Sequence, residues 1–307
     1  MRVAAIDQGT NTTRLLVADV VDGGVAEIVR RSTITRLGEG VDSRRRLLPL
    51  PITRVRNCLA DYRRELESLG AERALLVATS AVRDAENGEA FLGEIEWSYG
   101  FTTRLLSGDE EAAMALRGIG GLSDGAVLVD IGGGSTELTR ADGRVTTELG
   151  SVRMTERFLA SDPPTPDELR SLRDAIRAVL SEHDFAAESG IGVAGTVTSL
   201  AALDLGLVEY DSDQVDGHQL SEPAVEAQLA RLAALPLAER REVPGLEPER
   251  APVIVAGAAI LLETMRYLGL DEIEVSERDI LDGAALAAAE LPEPVEGEAP
   301  PGAYTCC

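Results

Sequence analysis

A chain of 307 residues is long enough for two ordinary domains, and a hydrophobic share of 44% supplies a core for each. The 53 acidic residues against 29 basic ones, for a formal charge of -24, argue against wrapping nucleic acid by counterion release. All 29 cations are arginines, and the absence of lysine removes the P-loop lysine, Schiff-base catalysis and the kinase ATP lysine together.

No run approaches the roughly 18 apolar residues of a membrane span, and the first residues enter a strand-like pattern directly, so the expected setting is the cytoplasm, with no membrane partner. Cys58 falls inside a helical pattern and Cys306 with Cys307 ends the chain, which leaves no metal-ligand spacing and no disulfide framework. His183 and His218 are isolated and are expected to be structural or solvated.

Along the chain, Val3 to Asp7 reads as a buried strand ending in an acid, Gln8-Gly9-Thr10-Asn11 as a turn, and Leu15 to Val20 as the return strand. A third strand fits Ala26 to Ser32. Helical spacing runs from Ile52 to Leu69 and stops at Gly70, before a buried strand from Ala74 to Ala78. Phe101 to Leu106 leads into Ser107-Gly108-Asp109-Glu110, a capping box that opens a helix to about Arg117. The glycine-rich stretch from Gly118 to Gly125 closes this half.

From Ala126 the pattern restarts: a buried strand ends at Asp130, Ile131-Gly132-Gly133-Gly134-Ser135 forms a turn, and Thr136 to Thr139 begins a return strand. The two openings align without a gap, both reading Asp-x-Gly-x-x-(Thr or Ser)-Thr from Asp7 and from Asp130. A repeat at this distance predicts two related α/β lobes facing each other across a cleft, over residues 1–123 and 124–291. Helices are expected near Pro166 to Glu182, from Gly195-Thr196, near Glu222 to Leu235, over Ala251 to Leu268 and from about Asp279. Strands fit Gly190 to Ala194 and Ile273 to Val275, the last helix can pack back on the first lobe, and residues 292–307 read as a disordered tail.

Three glycines after a strand let backbone N–H groups approach an anion, and Asp130 beside them can hold a metal; a tight hairpin is the competing reading of the same glycines. In the first copy Thr10 and Asn11 add hydroxyl and amide donors, unless they serve only the turn. Gly195-Thr196 opens a helix after a strand, where free N–H groups suit an anion or an ordinary cap. Arg83, just past a strand end, can grip phosphate bidentately or face solvent. Glu137 can reach a metal or water. Glu111 follows two acids that the helix N-terminus itself explains.

As a set, Ala5 to Asn11, Ala78 to Arg83, Ser107 to Ala112, Asp130 to Glu137, Gly195-Thr196 and Ser276 to Gly283 resemble the Ppx/GppA phosphatases in order and spacing. The resemblance implies two actin-like (ribonuclease H-like) lobes, with phosphates bound in the interlobe cleft and Mg²⁺ or Mn²⁺ as metal. It places the catalytic glutamate at Glu111 and metal-side acids at Asp130 and Glu137, with Asp7 as their counterpart in the first copy. Asn11, Arg83, Gly133, Gly134, Ser135 and Thr196 match the family's positions along the phosphate path, to which the reading of the turns and of the helix start adds Thr10, Gly132 and Gly195. The implied activity is release of terminal orthophosphate from inorganic polyphosphate. Guanosine pentaphosphate is the alternative substrate, and a non-hydrolytic actin-like nucleotide-binding protein the rival from another class. The chain resembles short family members, without the appended helical domain of long ones, and a homodimer is expected from the commonness of twofold pairs.

Overall fold

Val3 to Ile6 are fully buried because their strand lies in the middle of a sheet with helices over it. The computed structural model describes residues 1–292; the expected tail, apart from its first residue, lies outside the described residues. In chain order the first half contains β1 (Arg2–Gln8), β2 (Thr12–Val21), β3 (Gly24–Ile34), α1 (Val41–Arg44) and α2 (Pro49–Ser68). It continues through β4 (Arg73–Ala78), α3 (Ser80–Arg83), α4 (Gly88–Tyr99), β5 (Thr102–Leu105) and α5 (Gly108–Gly118). The sheet order is β3-β2-β1-β4-β5. The first three strands form an antiparallel meander, and β4 and β5 run parallel to β1 after helical crossovers, as parallel pairing requires.

The second half repeats this plan with β6 (Ala126–Ile131), β7 (Thr136–Arg140), β8 (Gly143–Thr147), α6 (Ser151–Phe158), α7 (Pro166–Leu180), β9 (Ser189–Val193) and α8 (Ala194–Asp204). There follow α9 (Ser212–Val215), β10 (Gln219–Ser221), α10 (Glu222–Ala234), α11 (Leu237–Arg240), α12 (Ile254–Leu268), β11 (Glu272–Val275) and α13 (Ile280–Ala289). Its sheet order is β10-β11-β9-β6-β7-β8. Read from the meander, β8-β7-β6-β9-β11 matches β3-β2-β1-β4-β5 strand for strand, with the short β10 added at the far edge. Two actin-like α/β lobes are therefore present, each with its own hydrophobic core.

The chain divides at Ile119/Gly120, inside the glycine-rich stretch, where Gly120 and Gly121 hold positive φ angles that other residues rarely adopt. Residues 280–292 belong to the first unit, so α13 returns there and packs on β1 and α5. Its contact with α5 is backbone-close, since a Cβ on Gly283 would lie 2.0 Å from the Met114 carbonyl oxygen. In the second unit α12 is buried on nearly every side, in keeping with its apolar sequence. The buried acid of α12 is Glu263, which takes hydrogen bonds of 2.6 Å from both Arg173 and Arg177 on α7. Burial pushes its carboxyl up, but the two guanidinium groups outweigh that and hold it below the usual range.

Sequence patterning did not anticipate α4, which carries Gly88 and Gly93 and has no side-chain N-cap, nor the eight-residue α6. No helix of the described residues is long and apolar enough to cross a membrane.

Gly283→Ala should cost about 1–3 kcal/mol, because the new methyl meets backbone instead of a yielding side chain. Urea denaturation checks this, with a lowered midpoint as the expected outcome.

Candidate active site

The first site element is the turn between β1 and β2. Gly9 N–H donates to Thr12 O at 3.0 Å and closes it. Its outer carbonyls are held from behind: Gly38 N–H donates to Thr10 O at 2.8 Å, and Thr35 and Arg36 N–H both donate to Asn11 O. This needs close approach, since a Cβ on Gly38 would sit 2.2 Å from Thr10 Cγ2. Thr10 is buried, and Asn11 is 6% exposed with an Oδ1 that accepts no hydrogen bond among the described residues. A buried amide oxygen in that state costs about 1–3 kcal/mol, which a group that donates to it, such as a water, would recover.

The second element repeats it at atomic detail. Gly132 N–H donates to Ser135 O, again at 3.0 Å, and a Cβ on Gly132 would lie 3.3 Å from that oxygen. The three glycines do close a hairpin between β6 and β7, but none of them holds a positive φ, so the turn does not draw on the left-handed freedom of glycine. The turn carbonyls are bound from behind by the start of α6: Ser151 N–H donates to Gly132 O, and Val152 and Arg153 N–H donate to Gly133 O. Arg153 Nε adds a bond to Gly134 O at 2.8 Å, and Gly150 makes the contact possible, as its Cβ would fall 2.3 Å from Gly133 O. Ser135 is buried beside the turn.

The aspartates before the two turns have different partners. Asp7 pairs across the hairpin with Arg14, whose Nε and Nη2 both donate to Oδ2 at 3.0 and 2.7 Å. At the corresponding place in the second copy Asp130 pairs with Glu137, two carboxylates directly opposite each other and only 8% and 2% exposed. Like charges at that spacing repel, and a hard divalent cation is the ligand that two such oxygen donors suit. Among the described residues no three side chains of His, Cys, Asp or Glu form a metal cage.

On α5 the three acids separate by role. Ser107 Oγ accepts from Glu110 N–H at 3.3 Å, while Glu110 Oε2 accepts from Ser107 N–H at 2.8 Å, a complete capping box. The Ser107 backbone bond, with its hydroxyl, holds the Glu110 carboxyl below the usual range. Asp109 and Glu110 face solvent, whereas Glu111 turns inward, 8% exposed. Arg83, last residue of α3, meets it: Nη1 lies 3.1 Å from Glu111 Oε2 and also donates to Leu106 O at 2.7 Å. Arg83 and Glu111 thus meet within the first unit.

Gly195 and Thr196 lie in the first turn of α8, entered through Ala194 at a φ of 68°, strained for a residue with a Cβ. A Cβ on Gly195 would lie 2.1 Å from Arg250 Nη1, so the glycine admits a guanidinium onto the helix N-terminus. Two like-signed poles together favour an anion between them. Arg250 is bonded to Glu247 at 3.0 Å. Sequence reasoning missed Arg14, Arg153 and Arg250. Arg14 stands at the offset from Asp7 that Glu137 has from Asp130, so extending the repeat by one residue finds it; Arg250 is far from any motif and carries no such signal.

The pattern of the Ppx/GppA phosphatase family matches residues 16–289. The exopolyphosphatase 2 of Mycobacterium tuberculosis is 38% identical, over 94% of this chain and 98% of its own. A guanosine-5'-triphosphate,3'-diphosphate pyrophosphatase of Vibrio atlanticus is 28% identical over 92% of this chain and 58% of its own. The crystal structure of the Ppx/GppA family member from Aquifex aeolicus superposes with a TM-score of 0.79 at 30% identity, covering 94% of this chain and 98% of that one.

The capping box adds stability that is full above the ordinary glutamate value of 4.5 and is lost as pH falls through the depressed one. Glu110→Gln should therefore shrink the fall in thermal midpoint between neutral pH and about pH 3, read by thermal melts across pH.

Proposed function

Because the chain belongs to the Ppx/GppA phosphatase family, we propose that it is an exopolyphosphatase, with Glu111 as the group that prepares the attacking water. The observation that carries the assignment is that Glu111 is the one inward-facing acid of its helix turn, with capping already supplied by Glu110. Arg83 fixes one carboxylate oxygen and holds the side chain in place.

In the proposed reaction the water oxygen attacks the terminal phosphorus as Glu111 takes its proton. The bond from that phosphorus to the bridging oxygen breaks, and orthophosphate and a chain one unit shorter leave. Each unit offers its own phosphate contacts: Thr10, Asn11 and Arg83 in the first, and the Gly132–Gly134 turn with Ser135, and Gly195 with Thr196, in the second, through backbone N–H groups, hydroxyls and the guanidinium. Arg250 joins this set. Phosphoryl transfer rests chiefly on positioning and charge neutralisation, which such donors provide without reorganising.

Asp130 and Glu137 would hold the divalent ion, Mg²⁺ or Mn²⁺, and its chemistry there is to neutralise charge on the transferring phosphoryl group. Asp7 is assigned a different part from the one its repeat position suggests: a carboxylate oxygen that accepts two guanidinium bonds is a poor cation ligand, and Asp7 serves to set Arg14. Guanosine pentaphosphate is the second reading, supported by the Vibrio relative's name. Release of phosphate from tripolyphosphate, long polyphosphate and guanosine pentaphosphate in parallel ranks the substrates.

Glu111→Gln should lower turnover by about 10² to 10⁴ while leaving substrate binding within a few-fold. Full activity in that variant would remove the assignment. Glu137→Gln should raise the divalent-ion concentration for half-maximal release about ten-fold or more, read by titrating Mg²⁺ into metal-stripped protein.

A further inference from the structure

Arg44, Arg45 and Arg46 are consecutive and exposed, and none enters an ion pair with a described residue. Their neighbours differ: Arg54 is bonded to Glu39, Arg56 to Glu94 and Arg63 to Glu67. In a chain with 53 acidic residues and 29 arginines, a carboxylate is easily supplied to any arginine. Three adjacent cations without one make a local positive patch against the field of the whole molecule.

The backbone under this patch is fixed. Arg45 N–H donates to Val41 O and its carbonyl accepts from Glu86 N–H, both at 2.8 Å. Leu47 exchanges two bonds with the Asn87 side chain, its N–H donating at 2.8 Å and its carbonyl accepting at 3.1 Å. Arg45 holds a φ of 52°, where glycine or asparagine would be cheaper, so the backbone does not explain the arginine. The same segment touches the site on two sides. Upstream, Thr35, Arg36 and Gly38 bind the Thr10–Asn11 carbonyls; Glu86 and Asn87 lie in the loop that follows Arg83.

We propose that Arg44, Arg45 and Arg46 grip the unreacted phosphates of an extended polyphosphate whose end lies at the Thr10–Asn11 turn. The proposal rests on the polyphosphate reading above and gives it a preference for long chains. The grip is electrostatic, made by exposed side chains on a pinned backbone, so it tolerates a substrate that shortens by one unit per turnover.

The test compares wild type with a neutral variant, Arg44→Gln, Arg45→Asn and Arg46→Gln together, and a charge-keeping variant with lysine at all three positions. In the neutral variant KM for long-chain polyphosphate should rise on the order of ten-fold with kcat little changed, and by several-fold less for tripolyphosphate. The slope of log KM against log salt for the long chain should fall by about two to three, and the lysine variant should restore KM to within about two-fold. An equal rise on both substrates, an unchanged salt slope, or no rescue by lysine would overturn the proposal. Equilibrium binding of long-chain polyphosphate in EDTA, where turnover stops, separates this idea from the hydrolytic reading. Weakened binding in the neutral variant supports the grip even if no substrate is cleaved, and unchanged binding refutes it.

Discussion

The turns that close the two repeated hairpins leave carbonyl oxygens to be satisfied from elsewhere, and neighbouring segments of both units are placed to satisfy them. In the first, the segment after β3 supplies N–H donors to Thr10 and Asn11; in the second, the opening of α6 supplies them to Gly132 and Gly133. Each solution needs backbone to approach backbone or a small side chain, and each uses a glycine at the point of contact, Gly38 or Gly150. A turn tied in this way is preorganised, which is what the proposed phosphate contacts require.

The two copies share a skeleton and differ in charge. One position, Arg14 in the first hairpin and Glu137 in the second, decides whether the preceding aspartate faces a cation of the protein or a second carboxylate. The first hairpin therefore sets an acid against a guanidinium, and the second sets two acids against each other. The same economy shows on α5, where neighbouring acids are split between holding the helix end and facing inward to Arg83.

The repeated strand, turn and strand were legible in the sequence because buried β-strands ending in an acid, followed by glycine, leave a local pattern. Most long helices were legible for the same reason. What escaped depended on contacts distant in sequence. Arg250 lies over Gly195 from a loop that no periodicity marks, and α4 is interrupted by glycine. Local pattern also placed Glu111 among capping acids, and only its inward turn, with Glu110 completing the box, separates the two. The resemblance carried by the assembled motifs supplied that distinction, which single residues could not.

The return of α13 to the first unit also sets an order of assembly. A ribosome delivers β1 to α5, then all of the second unit, and only then the helix that covers β1 and α5. Until that helix emerges, the apolar surface it will cover has no permanent neighbour, and the helix bearing Glu111 lacks one wall of its seat. The second unit, contiguous in sequence, can finish its core first. The first unit is thus completed only after the second has been made, and the acid assigned to the chemistry waits on a helix more than 150 residues further along the chain.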